Sequence, residues 1–183
     1  MKKLKRLVSL ALAGALALLL LTACGGGGNA GGAGPALTGD ELVDATNQCN
    51  YAFRTELTGG KGPDYLTANE ALNRAAKEIF TSTQKENEPA SNTLERIAYA
   101  EDVDWNELLQ PYGLSTSNTM FTTSSHCTDV SDAGRDLYMK LAALYGRNFK
   151  VSSIGSYKVP YGDGTCGYLI LISYIDNNKS NNN

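Results

Sequence analysis

The chain has 183 residues, 42% of them hydrophobic, with 16 basic residues against 19 acidic ones for a formal net charge of −3. A mildly acidic chain whose only basic cluster lies in its first six positions excludes a nucleic-acid surface and electrostatic adhesion to anionic lipid. One His and four Cys, with no CxxC pair, exclude a zinc site of recognisable spacing, and no cofactor is implied.

Lys2, Lys3, Lys5 and Arg6 open the chain, and Leu7 to Leu21 is an uncharged run of Leu, Ala, Val, Ser and Gly. That run falls short of the ~20 apolar residues a membrane span needs and has the length of a secretory apolar region. It closes on Leu20-Leu-Thr-Ala-Cys24, where the small Ala23 precedes the cysteine. This stretch resembles the lipobox of bacterial lipoproteins, L-x-[AGS]-C. The resemblance implies a signal peptide over residues 1–23 and cleavage between Ala23 and Cys24. It also implies a diacylglyceryl group on Cys24 that holds the protein at the extracytoplasmic face of the cell membrane. Gly25 in place of a retention Asp points to a Gram-positive surface.

Residues 24–36 then form a tether, since Gly25 to Pro35 carries seven glycines and no charge. Eleven such residues reach about 17–20 Å without fixing an orientation. Loss of the signal peptide removes four basic and no acidic residues, leaving 12 against 19 and a net charge of −7. Residues 37–176 suffice for one globular core without help from metal or disulfide. The polar, Asn-rich residues 177–183 read as a disordered tail.

Within the domain, Thr38-Gly-Asp-Glu41 has capping-box form, and Leu42, Ala45, Thr46, Cys49, Phe53 and Leu57 recur at helical spacing up to Gly59-Gly60. Lys61-Gly-Pro-Asp64 is a turn. Thr67-Ala-Asn-Glu70 is a second capping box, with Ala71, Leu72, Ala75, Ala76, Ile79 and Phe80 on one face behind it. Ser82 to Pro89 is a polar loop, Asn92 and Glu95 cap a short helix through Ala100, and Asp104-Trp-Asn-Glu107 caps another ending near Pro111 and Gly113. Asn118 to Thr123 reads as a short strand bounded by Ser-rich turns. Ser131 to Tyr145 is helical, Lys150 to Val159 is a strand, and Pro160 to Gly164 is a turn. Gly167 to Ile175 is apolar on both faces, as a strand covered on both sides requires. The order α-α-(α-α)-β-α-β-β predicts an α+β fold: a small antiparallel sheet with helices on both faces, a three-layer α-β-α sandwich.

Tyr65-Leu-Thr-Ala-Asn-Glu-Ala-Leu-Asn-Arg-Ala-Ala76 looks like the second helix of bacterial CAP-superfamily domains (the cysteine-rich secretory, antigen 5 and pathogenesis-related 1 proteins). That helix is written L-x-x-N-x-x-L-x-x-x-A, and Leu66, Asn69, Leu72 and Ala76 fall on it. Leu42-Val43 and Arg54 resemble the L-V-N-x-x-R of the first helix, with Asn50 four rather than three residues from Arg54. Asn148 to Gly155 and Tyr168 to Ile172 resemble the closing hairpin. The resemblance spans Leu42 to Ile175 and implies an α-β-α sandwich with a cleft for apolar, lipid-like or peptide ligands. The chain departs from the metal-binding members, whose cleft carries two His and two acidic residues. His126 stands alone, Asn118-Thr-Met-Phe121 replaces G-E-N-[IV], and the helix from Asp132 lacks S-P-x-H. A CAP cleft here would hold no such metal site.

With Cys24 committed to lipid, Cys49, Cys127 and Cys166 leave an odd count outside the cytosol. Cys49 falls on a helical apolar stripe and reads as a buried thiol, whereas Cys127 and Cys166 lie beside turns. A Cys127–Cys166 disulfide is the expectation, with pairings to Cys49 open. His126 beside Cys127, Ser124, Ser125 and Asp129 carries the residue types of a Cys–His dyad or a Ser-His-Asp triad. Sequence neighbours on a strand point to opposite faces, which suits neither. Asp102-x-Asp104-x-Asn106 opens like a calcium loop, but Glu107 and Gly113 fall where Gly and Glu belong, so a helix N-terminus is the simpler reading. Trp105 reads as an apolar anchor, and His126 and Tyr157 mark the expected ligand cleft. The resulting expectation is a non-catalytic, lipid-anchored binding domain for a small apolar ligand or an envelope partner. The alternatives are a cell-surface hydrolase built on His126 and a structural envelope lipoprotein.

Overall fold

The structure, a computed structural model, describes residues 34–56, 64–99, 103–144 and 149–176. The expected signal peptide, Cys24, most of the tether and the Asn-rich tail lie outside the described residues, as do Gly59, Gly60 and Asp102. The described elements begin with α1 (Glu41–Glu56), α2 (Glu70–Thr83), α3 (Ala90–Ala98) and α4 (Trp105–Leu109), the last extended by a 3-10 turn (Gln110–Tyr112). They continue with β1 (Thr119–Cys127), α5 (Val130–Leu144), β2 (Phe149–Pro160) and β3 (Cys166–Asp176). The fold is α+β, and its order of elements is the one the sequence predicts.

Both expected capping boxes are displaced by two residues. Asp40, not Thr38, caps α1: its Oδ1 accepts the Leu42 and Val43 N–H groups at 3.1 Å each. Thr38 is held instead by Asp44, which accepts its N–H at 2.7 Å and its hydroxyl at 2.8 Å. Asn69, not Thr67, caps α2, accepting the N–H groups of Ala71 and Leu72 at 2.9 and 3.2 Å. In both places a short Asx side chain next to the helix satisfies orphan donors that the more distant Thr cannot reach. Thr67 has another partner in the sheet.

The sheet has the order β1-β3-β2, antiparallel throughout. Central β3 explains its own composition. Tyr168, Ile170 and Ile172 pack with Leu42 and Val43 of α1 and Leu137 and Leu141 of α5. Leu169 and Leu171 point the other way, into Leu72 and Ile79 of α2, Leu94 and Ile97 of α3, and Trp105 and Leu109 of α4. Each such side chain contributes about 1.5–3 kcal/mol by leaving water. Helices therefore cover both faces of the sheet.

The outer edge of β2 is closed by the segment ahead of α2. Ala68 bridges Ile154 in parallel, with Asn69 N donating to Ile154 O and Ile154 N donating to Thr67 O, both at 2.9 Å. The Thr67 hydroxyl donates to Ser152 O at 2.8 Å, and Ser156 N donates to Asn73 Oδ1 at 2.6 Å. A strand edge that would otherwise be open is thus paired. The approach is close enough that a Cβ at Gly155 would lie 2.4 Å from both Asn73 N and Leu72 Cβ. Only glycine fits where α2 crosses β2.

Strand β1 continues through the Ser-rich stretch expected as a turn. Thr119 to Ser124 pair regularly with Ser173 to Tyr168, and the register then shifts so that Cys127 faces Cys166. Unbroken pairing would have set Cys127 against Thr165. One extra residue, a β-bulge, makes the difference, and His126 in it takes the left-handed conformation at φ 55°.

Candidate functional site

The bulge gathers most of the chemistry-bearing residues singled out in the sequence. Regular alternation puts Met120 toward the α1/α5 core and Phe121 toward the α2–α4 core. The inserted residue reverses that parity, so Cys127 enters the α1/α5 core beside Cys166. Both thiols are free and buried. The Cys166 thiol donates to Cys127 O at 3.6 Å, and the Cys127 thiol donates to Ser125 O at 3.8 Å. Burial pushes the Cys127 thiol up from its ordinary value, because a low-dielectric surrounding penalises the thiolate. Cys49 is half-buried and belongs to neither core cluster, so the expected buried thiol is corrected. The stripe of α1 that enters the core is occupied by Leu42 and Val43.

Ser124 is buried, and its hydroxyl donates to Asp136 Oδ2 at 2.5 Å and lies 3.5 Å from Cys127 Sγ. The same carboxylate oxygen takes Lys140 Nζ at 2.6 Å, and Lys140 donates at 2.6 Å to Thr123 O as well. These contacts fasten α5 to β1. They also occupy Ser124, one of the two serines named for a triad; Ser125 is exposed. Asp129, immediately ahead of α5, is also engaged: its Oδ1 accepts Asp132 N at 3.0 Å.

His126 is exposed and meets Tyr161 edge-on at a centroid distance of 5.5 Å. Among the described residues no hydrogen bond joins it to Ser124, Ser125, Cys127 or Asp129, so the dyad and triad geometries are not assembled. Tyr157, the other expected cleft residue, tilts against Phe80 at 5.6 Å. His126 and Tyr157 thus contact different rings. Among the described residues the buried Tyr161 hydroxyl finds no hydrogen-bond partner, and the buried Tyr168 hydroxyl has none beyond the Cys166 sulfur. Burial pushes Tyr161 up to about 12 and raises Tyr168 as well, with the two nearby thiols adding to both shifts.

At the calcium-like segment, Asp104 caps α4 by accepting the N–H groups of Asn106 and Glu107 at 3.0 and 3.2 Å. Trp105 is 8% exposed and stacks on Phe121 at 3.6 Å, the anchor the sequence suggests. Among the described residues no three His, Cys, Asp or Glu side chains are placed to hold a metal. No described helix is long and apolar enough to cross a membrane.

Sequence reasoning missed Asn47, which is buried on α1 and bonded to both backbone groups of Leu66. Its signal was an amide side chain one turn beyond Val43, on the face that Leu42 and Val43 turn to the core. Asp136 and Lys140 were also missed, although their i,i+4 spacing was visible.

Comparison with protein-family models, with curated proteins and with solved structures found no match for this chain. The functional reading therefore stands on the residues themselves.

Proposed function

We propose that this protein is a bacterial lipoprotein, anchored through diacylglyceryl-Cys24 at the extracytoplasmic membrane face, whose CAP-like domain binds an apolar ligand without a metal. The anchor rests on the run from Lys2 to Cys24 and on the glycines behind it, which give a tether and no packing surface. The CAP-like reading is supported chiefly by one observation: the matched stretch Tyr65 to Ala76 acts as a single joint. Leu66 enters the α1/α5 core, Asn69 caps α2 and pairs with β2, and Leu72 and Ala76 fill the opposite core. An α-β-α sandwich of the kind the resemblance implies needs its second helix joined to both layers in this way.

Two measurements test the reading. Cells fed an alkyne-tagged palmitate carry the tag on this protein, and Cys24→Ser removes the tag and releases the protein from the membrane fraction. Unchanged membrane association of Cys24→Ser defeats the anchor. For the domain, a photoactivatable fatty acid crosslinks to residues between a sheet face and its helices, and excess unlabelled fatty acid competes. Crosslinking that competitor does not reduce overturns the apolar-ligand reading.

A further inference from the structure

We infer that Cys127 and Cys166 close into a cross-strand disulfide, and that the bulge at His126 brings the pair into register. Directly opposed residues of an antiparallel pair have Cα atoms about 4.5–5.5 Å apart whichever hydrogen-bonding parity they occupy. That range falls within the ~4.4–6.8 Å window in which a disulfide closes without backbone movement. Cross-strand partners also project to the same face, and both cysteines belong to the α1/α5 core. Each thiol is turned to a main-chain oxygen, Cys166 to Cys127 O and Cys127 to Ser125 O, so closure needs a side-chain rotation and no change of register.

The second observation is the strain beside the pair. A non-glycine residue at φ 55° is held there against a cost of about 1–2 kcal/mol. Such a conformation persists only when its surroundings over-determine it. Without the inserted residue, Cys127 would oppose Thr165 and share the face of Phe121. The bulge therefore converts a mismatched cysteine into a matched one.

Closure is a thiol–disulfide exchange. One cysteine, as thiolate, attacks the disulfide of a donor (oxidised glutathione in vitro, a dithiol oxidase in the cell) and expels one donor thiol. The other cysteine then attacks the mixed disulfide, forms the Sγ–Sγ bond and expels the second donor thiol. Two protons leave the protein, and the donor disulfide takes up the two electrons. Burial of both thiols makes this step slow in the finished fold, so closure belongs to the folding chain.

The disulfide in the cell rests on the extracytoplasmic address proposed above, and the test separates the two. The full chain is harvested from cells under denaturing conditions with N-ethylmaleimide and digested with trypsin without reduction. The three cysteines fall in separate peptides, with Cys127 in residues 97–135, Cys166 in residues 159–179, and Cys49 in the peptide ending at Arg54. The expected result is a linked 97–135/159–179 pair with maleimide on Cys49. In parallel, detergent-purified full chain is reduced, denatured and refolded in a glutathione redox buffer, with Cys49→Ala as a second variant that leaves the pair intact. The same linkage in both refolded proteins supports the pairing. Linkage on refolding together with alkylated Cys127 and Cys166 in cells supports the geometry and overturns the address. Three alkylated cysteines after refolding, or a bond to Cys49, overturns the inference.

Discussion

Asn47 and Leu66 are joined twice. The Asn47 carboxamide donates to Leu66 O at 2.9 Å and accepts Leu66 N at 2.7 Å, so a helix side chain stands in for a strand partner. The bond ties α1 to the segment that closes the β2 edge and leads into α2. Asn47→Ala leaves a buried N–H and C=O without partners, at about 1–3 kcal/mol each. The expected result is a stability loss of roughly 2–6 kcal/mol, read as a lowered urea midpoint at unchanged slope. A loss below about 0.5 kcal/mol would mean water replaces the amide at no cost.

Gly155→Ala is the sharpest steric test. Its Cβ would stand 2.4 Å from the backbone nitrogen of Asn73 and 2.5 Å from the carbonyl carbon of Leu72, atoms that cannot rotate away. Separating α2 from β2 also lengthens the Ser156–Asn73 hydrogen bond. The variant is expected to lose at least about 3 kcal/mol or to fail to fold, read by thermal denaturation. Ala at Gly162, where nothing lies within 4 Å, is the matched control and should be neutral.

The Glu88–Arg96 pair sets an acid dependence. Arg96 donates to both Glu88 carboxylate oxygens, at 3.2 and 2.9 Å, and to Thr83 O at the end of α2 at 2.7 Å. The Arg96 hydrogen bond, with help from Lys85 N and Thr93, lowers Glu88 from 4.5 to about 2. A carboxylate with a depressed folded value binds fewer protons folded than unfolded. Its stabilisation is therefore complete above about pH 4.5 and is lost as the pH falls toward 2. Glu88→Gln should flatten the decline of Tm across that window, and an unchanged decline would show that the pair does not report on folding.

His126→Gly probes the bulge. Glycine takes φ 55° without strain, while the edge contact with Tyr161 is lost. The two effects oppose each other at about 1–2 and 0.5–1.5 kcal/mol. A net stabilisation of up to roughly 1 kcal/mol is expected in chemical denaturation. A clear destabilisation would show that the imidazole, not the backbone, is what this position needs.

The elements were legible because each announces itself locally. The two-sided apolar run of β3 reads as a strand covered on both faces, and Trp105 behind Asp104 reads as the anchor of a capped helix. What misled was distance along the chain. Thr38 and Thr67 have the right spacing for caps, but Asp40 and Asn69 stand closer to the orphan donors, and Thr67 is claimed by Ser152, 85 residues away. The triad types around His126 were equally visible. They do not converge: Ser124 is bonded to Asp136 on the next helix, and Asp129 accepts Asp132 N.

By itself the sequence determined the order of elements, the two-faced burial of the last strand, and the segment from Lys2 to Cys24 that gives the proposed address. These come from periodicity and composition, which act over a few residues. Only the tertiary structure decided that Asn47 serves as a strand partner, that Gly155 admits α2 to the sheet, and that Cys127 faces Cys166. Register is a sum over a whole strand pair, and a single inserted residue at the bulge turns Cys127 to the opposite face.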